Sequence, residues 1–196
     1  MSSLKQKYRK KYLSIRSSLS PQERKKKSAQ ICQKLLALPA WQQAQTVMLY
    51  AAFKNEVETA DLIQAALNQK KNVLLPRVET EGIVPYQVKA FPDDVAPGYA
   101  GILEPLSSKT SPWRDVIDLI VLPGIVFDLK GGRLGYGKGC YDHFLKKLPQ
   151  SPLKIGITFE ICLIDSLPLE SHDERVDVII TEKRIITPQL FKKKEV

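Results

Sequence analysis

The chain has 196 residues but only three cysteines and two histidines. Cys32, Cys140 and Cys162 form no C-x-x-C pair and are odd in number, which argues against a disulfide framework or a structural zinc site. A reducing cytoplasm is the expected compartment. No run of 18 apolar residues occurs, so no transmembrane helix is expected. The N-terminus is basic but lacks the apolar stretch of a secretory signal. There is no internal repeat, and no low-complexity tract apart from lysines. His143 and His172 lack a Ser or Cys partner pattern, so neither is assigned to a nucleophilic triad. Acids are nearly missing from residues 1–27, where ten Lys and Arg stand against Glu23 alone. That block accounts for the whole formal net charge of +9, because the other 169 residues hold twenty charges of each sign. A nucleic-acid reading of the charge therefore rests on one N-terminal segment.

What is present is an ordinary globular balance, with 43% hydrophobic and 26% charged residues. We expect one α/β domain over residues 1–196, its N-terminal helices (1–39) packed on the body. Leu4, Tyr8, Tyr12, Ile15 and Leu19 recur at helical steps, which predicts a first amphipathic helix. Ser20-Pro21-Gln22-Glu23 reads as a new start, with Ser20 capping, Pro21 at the first helical position and Glu23 closing a capping box. Ala29, Cys32, Leu35 and Leu36 are the expected apolar face of this second helix, Pro39 its stop, and the lysines between are expected to face water.

From Thr46 the period changes. Val47–Phe53 predicts a strand, Thr59 a cap for a helix of about ten residues, and Asn72–Leu75 a strand stopped by Pro76. Residues 82–114 are rich in Gly and Pro and predict one or two strands in an excursion, not a linker. Leu119–Pro123 is continuously apolar, as a strand buried on both faces should be. Further elements are expected as a helix near Asp142–Leu148 and strands at Lys154–Thr158 and Val176–Thr181. The fold class is α/β, a largely parallel sheet flanked by helices.

Five of the ten glycines fall between Gly131 and Gly139. The segment lies between a buried strand and a helix start, where glycines let backbone N–H groups approach an anion and the helix terminus adds positive potential. Arg133 and Lys138 add full charges suited to phosphate oxygens. No Walker A pattern occurs, and a dinucleotide fingerprint is incomplete. A glycine-rich turn with incidental charges is the alternative. Asp142 reads either as a helix cap or as a Mg²⁺ ligand beside phosphates. A second carboxylate is available in His172–Asp177, which otherwise reads as a solvated loop. Lys5 and Arg9 share one helix face. Lys10, Lys11 and Lys25–Lys27 are expected to be solvated. Glu56 follows a strand end, at the ligand-binding edge of a parallel sheet or in a plain polar loop.

These blocks, in this order, resemble the 5-formyltetrahydrofolate cyclo-ligase family. Lys5-Gln6-Lys7-Tyr8-Arg9 is similar to its K-x-x-x-R helix and Asn55–Thr59 to its E-[IV]-x-T block. Asp118–Gly124, Phe127-Asp128 and Gly132–Asp142 are similar to D-L-[IV]-x-x-P-G-x-x-F-D…G-x-R-L-G-x-G-x-G-Y-Y-D. His172-Asp173 and Thr181-Glu182 resemble the end of the pattern. The resemblance implies a sandwich like that of ribose-5-phosphate isomerase and CoA transferases. It also implies ATP- and Mg²⁺-dependent cyclisation of 5-formyltetrahydrofolate to 5,10-methenyltetrahydrofolate, through phosphorylation of the formyl oxygen. Lys5, Arg9 and the run Arg133, Leu134, Gly135, Tyr136, Gly137, Lys138, Gly139, Cys140 and Tyr141 would bind ATP. Ala51, Glu56, Tyr136, Gly137, Lys138, Gly139 and Cys140 would bind the folate, with Glu56 on the pterin. Arg133, Lys138 and Tyr141 would be catalytic, and Asp142 and Asp173 would hold Mg²⁺. Cys140 departs from the family by replacing the first of two tyrosines. It packs and donates less well, which bears on folate affinity more than on ATP.

The expected partners are the two small-molecule substrates, with a monomeric chain and neither nucleic acid nor membrane. Two other classes remain open from sequence: a nucleic-acid binder using the basic arm, and a phosphosugar or CoA-type enzyme on a similar fold.

Overall fold

The computed structural model describes residues 3–188; residues 1–2 and 189–196 of the expected domain lie outside the described residues. The first helix, α1, spans Ser3–Ser17. Its expected apolar stripe packs on the body through Tyr8, Tyr12 and Ile15, with two basic residues buried beside it. Leu4 is 48% exposed, whereas Lys5, Tyr12 and Arg16 are buried. Lys5, Arg9, Tyr12 and Arg16 follow at steps of four, three and four, so the helix turns a basic seam toward the body.

Helix α2, Pro21–Leu36, opens with the expected capping box: Glu23 N–H donates to Ser20 Oγ and the Glu23 carboxylate accepts Ser20 N–H. It buries Ser28, Ile31, Cys32 and Leu35, while Ala29 is exposed. The apolar face is thus centred on Ile31, which the sequence reading passed over. Lys27, expected to be solvated, instead pairs with the buried Glu182 carboxylate, and Lys34 donates to the Glu182 carbonyl at 2.7 Å. Pro39 does not simply stop α2. It opens a five-residue helix α3, Pro39–Gln43, because proline suits a first helical position.

Strand β1 is Thr46–Met48, shorter than expected. Beyond it the chain leaves the sheet as a loop through residue 59. Helix α4 is Ala60–Asn68. Thr59 stands at its cap position but makes no capping bond. Its hydroxyl instead donates to Tyr50 O and accepts Ala52 N–H, closing the loop on itself.

Strand β2, Asn72–Glu79, runs through Pro76 into β3, Gly82–Val88, as an antiparallel hairpin. Pro76 fails to stop it for a geometric reason. It sits opposite Pro85, and β1 on its other side pairs only as far as Leu74, so no ladder bond needs the missing N–H. The 82–114 excursion holds four short strands rather than one or two: β3, β4 (Val95–Pro97), β5 (Leu103–Pro105) and β6 (Ser111–Pro112).

The rest comprises β7 (Leu119–Leu122), β8 (Val126–Asp128), β9 (Arg133–Leu134), α5 (Cys140–Lys147), β10 (Leu153–Ile157), β11 (Leu163–Ile164), β12 (Val178–Ile180) and β13 (Ile185–Ile186). The main sheet has the order β13-β12-β10-β7-β1-β2-β3-β6. The pairs from β12 through β2 are parallel, and the outer pairs are antiparallel. Side chains alternate between two apolar layers. Val47, Val73, Leu75, Leu119, Val121 and Ile155 join α2 and α4 on one face. Met48, Leu74, Ile120, Leu122 and Ile179 join α5 on the other. A small sheet, β11-β8-β9, lies under α1, where Tyr12 packs with Ile125, Val126, Leu134, Cys162 and Leu167. Phe127 drives this small sheet into the large one. A Cβ on Gly124 would meet its ring at 2.5 Å, and one on Gly156 would also collide with it.

Candidate active site

The parallel strands direct their C-terminal ends to one edge, where ligands of such sheets bind. After β1 comes the loop with Ala51 and Glu56, and after β7 come Pro123 and Gly124. The β8–β9 hairpin is framed by Asp128, whose carboxylate accepts N–H groups of Lys130 (2.9 Å), Gly132 (2.7 Å) and Leu167 (2.7 Å). The glycine-rich loop follows directly. Gly137 and Gly139 have φ values of 103° and 65°, the latter at the N-cap of α5, a backbone that side-chain-bearing residues rarely adopt. The loop thus arrives at a helix N-terminus, a setting that favours anions.

The basic seam of α1 lies against this loop. Lys5 Nζ meets Asp173 at 2.7 Å and Glu170 at 3.3 Å, while only 6% exposed. Burial opposes the Lys5 charge, but the Asp173 and Glu170 carboxylates outweigh it and raise the amine above its ordinary value. Burial likewise pushes Asp173 up, yet the Glu170 N–H and the Lys5 ammonium prevail and hold it below the usual carboxylate range. Arg9 Nε donates to Gly135 O at 2.8 Å. Arg16 donates to Gly124 O at 3.0 Å and to the Tyr136 hydroxyl at 2.9 Å.

Arg133 is buried, unlike an open phosphate ligand. It donates to Asp142 at 2.8 Å and to Pro123 O at 3.4 Å, and its guanidinium carbon lies 5.5 Å from the Tyr141 ring centroid. Lys138 is exposed at the loop tip, with Nζ 4.3 Å from the ring centroid of Tyr99. Tyr99 belongs to the 82–114 excursion, which therefore faces the loop across the site. Leu134 is buried in β9, Gly135, Gly137 and Cys140 are half-buried, and Gly139 is exposed. Ala51 and Glu56 are buried. Glu56 accepts Phe53 N–H at 3.0 Å. Its burial raises its pKa, only partly opposed by that N–H, the Arg16 charge and the Tyr136 hydroxyl. Burial also raises the Tyr141 and Tyr50 phenols.

Arg16, Tyr50 and Tyr99 are the members that sequence reasoning missed. Arg16 continues the Lys5–Arg9 spacing around the helix, which was the available signal.

Asp142 and Asp173 suit a hard divalent cation. Asp142 Oδ1 accepts Glu174 N–H at 3.1 Å, which ties the first turn of α5 to the turn carrying Asp173. Asp142 uses Oδ1 for its hydrogen bonds and Asp173 uses Oδ2. Among the described residues, each thus keeps one oxygen outside a hydrogen bond. One or two carboxylates with phosphates and water are the donors Mg²⁺ prefers. A cavity of about 230 Å³ lined by Ala40, Gln43, Ala44, Asp118, Leu119 and Leu153 lies at the opposite edge of the sheet, where the strands begin.

A mostly parallel sheet with a cationic, glycine-rich loop at its C-terminal edge defines an α/β enzyme that handles anions. The sequence profile of the 5-formyltetrahydrofolate cyclo-ligase family matches residues 1–182. A probable 5-formyltetrahydrofolate cyclo-ligase of Schizosaccharomyces pombe is 31% identical over 81% of this chain and 85% of its own. The 5-formyltetrahydrofolate cyclo-ligase of Haemophilus influenzae is 30% identical over 81% of this chain and 87% of its own. The solution structure of Aquifex aeolicus 5,10-methenyltetrahydrofolate synthetase superposes with a TM-score of 0.84 at 36% identity, covering 98% of this chain and 97% of that one. The chain belongs to the 5-formyltetrahydrofolate cyclo-ligase family.

Proposed function

We infer that this protein is an ATP-dependent ligase that closes 5-formyltetrahydrofolate to 5,10-methenyltetrahydrofolate, releasing ADP and phosphate. The observation that carries the reading is the Gly135–Gly139 loop, braced by Arg9 and Arg16 and presenting Lys138 at the C-terminal edge of the sheet. The formyl oxygen attacks the γ-phosphorus of ATP, and ADP leaves. The resulting imidate-like phosphate carries a good leaving group where an amide oxygen was a poor one. N10 attacks that carbon and loses its proton. Phosphate then departs with the former formyl oxygen, leaving the N5–C–N10 amidinium.

Little covalent work falls to the protein, so positioning and charge stabilisation dominate. Lys138 is the exposed loop cation for the transferred phosphoryl group. Arg133 acts beside it by holding Asp142 and packing on Tyr141. Glu56, buried with Arg16 as the cation that acts on it, accepts a hydrogen bond from the pterin. Ala51, Tyr136 and Cys140 complete the folate wall. Lys5 and Arg9 reach the anionic groups from α1. Asp142 and Asp173 would hold Mg²⁺, which when bound neutralises phosphate charge. The chain is proposed to act on its two small-molecule substrates as a monomer. Three free thiols, two of them buried, fit a reducing compartment such as the cytoplasm. No helix among the described residues is long and apolar enough to cross a membrane.

The direct test mixes the purified protein with 5-formyltetrahydrofolate, ATP and Mg²⁺ and follows the near-ultraviolet band of the conjugated amidinium. ATP-dependent growth of that band is the expected result. Its absence with folded protein would sink the reading.

A further inference from the structure

We propose that Arg16 is a positioning residue of this site: its guanidinium fork ties the Tyr136 hydroxyl to the Gly124 carbonyl and presets the pocket that receives the folate. The inference rests on the reading of Glu56 and Tyr136 as folate-contacting residues.

Tyr136 needs such a support. It sits between Gly135 and Gly137, the residue is 48% exposed, and Gly137 has a φ of 103°. A backbone flanked by glycines does little to aim a side chain. Arg16 supplies the missing constraint from α1. It is 3% exposed, and one arm of its fork donates to Gly124 O at 3.0 Å while the other donates to Tyr136 at 2.9 Å. One planar group therefore ties a loop side chain to the end of a core strand. A lysine ammonium could follow one of these directions but does not present a planar fork.

The same arrangement acts on Glu56. A phenol that accepts from Arg16 keeps its own proton to donate, and the Tyr136 hydroxyl and the Arg16 charge both favour the Glu56 carboxylate against the upward push of burial. The charged and titratable groups that act on Glu56 among the described residues are Tyr50, Tyr136, Tyr141 and Arg16, and only Arg16 is a cation. Arg16 is placed poorly for stability alone. Its Nε–H is buried without a partner, and among the described residues no carboxylate forms an ion pair with it. An apolar side chain of similar length would serve packing as well or better.

The test compares wild type with Arg16→Met, Arg16→Lys, Tyr136→Phe and the Arg16→Met/Tyr136→Phe double variant. Steady-state kinetics are measured for each substrate, with a thermal melt for each protein. Arg16→Met and Tyr136→Phe should each raise KM for 5-formyltetrahydrofolate by about tenfold, the size of one charge-assisted hydrogen bond. KM for ATP should rise by clearly less than KM for the folate. The double variant should be no worse than either single one, because both remove the same constraint. Arg16→Lys should recover part of the loss. An unchanged folate KM, an equal rise in both KM values, or multiplying effects in the double variant would overturn the proposal. If Arg16→Met does not fold, Tyr136→Phe and Arg16→Lys decide by the same criteria. A folded wild type that forms no methenyl product overturns the cyclo-ligase reading itself, and the Arg16 proposal with it. An active wild type with unchanged variants overturns Arg16 alone.

Discussion

Arg133 and Lys138 carry the same charge five residues apart, but the structure gives them different surroundings. Arg133 is buried against Asp142 and Pro123, whereas Lys138 is exposed over Tyr99. Lys138→Ala should lose most turnover with an unchanged melting temperature. Arg133→Ala should lose turnover and also destabilise the fold by about 3 kcal/mol, since it strands a partly buried carboxylate. Parallel melts and rate assays separate the two outcomes. Sequence marked both as phosphate ligands because a charge flanked by glycines reads the same whether it points in or out. Arg16 was hidden for a related reason. One arginine among ten N-terminal basic residues shows its burial only once the helix face is known.

The Lys5–Asp173 pair makes a prediction about pH at the same scale. Asp173 lies below its ordinary carboxylate value when folded, so its contribution is full above that value and is lost as pH falls through the lower folded one. Lys5 lies above its ordinary value, so its contribution is full below that value and is lost as pH rises through the higher folded one. Wild type should therefore exceed Asp173→Asn in stability at neutral pH, and the gap should close on acidification below about pH 4. Denaturant titrations across pH check this. A gap that persists in acid would remove the pair from the account.

Elements were legible where local chemistry decides them. Ser20, Pro21 and Glu23 announce α2 because a capping box acts within four residues. Ser20→Ala should destabilise the protein by about 1 kcal/mol in equilibrium unfolding. Elements were less legible where neighbours decide. Pro76 passes through a strand because β1 ends beside it, and Thr59 abandons its cap for the Tyr50 carbonyl. Lys27 and Lys26 are adjacent in sequence, yet Lys27 meets buried Glu182 across 155 residues. Lys27→Ala should lower stability by about 1–2 kcal/mol, while Lys26→Ala should do little. Equal effects would mean that α2 is not anchored at this point.

At the scale of the whole molecule, the N-terminal charge is divided between inside and outside. Lys5, Arg9 and Arg16 reach into the site region, Lys27 pairs with Glu182, and Arg24 bonds Asn55. Lys7, Lys10, Lys11, Lys25 and Lys26 remain exposed. The outward set can attract anionic substrates only through solvent, across distances that salt screens. Neutralising Lys10 and Lys11 together should raise substrate KM measurably at low salt and by less than about twofold near 0.15 M. A large loss at both ionic strengths would instead place these lysines in direct contact with substrate.

Lys5 meets Asp173 across 168 residues, and that bond joins α1 to the turn that precedes β12. During synthesis the helix emerges long before its partner exists. Local elements, such as the capped α2 and the β2–β3 hairpin, can form as they appear, but this contact must close a loop of 168 residues. The site therefore reports that this turn has arrived. A nascent or truncated chain ending before residue 173 can hold most of the sheet and still lack the turn that meets Lys5 and Asp142, so activity on the ribosome should begin only after that turn has been delivered.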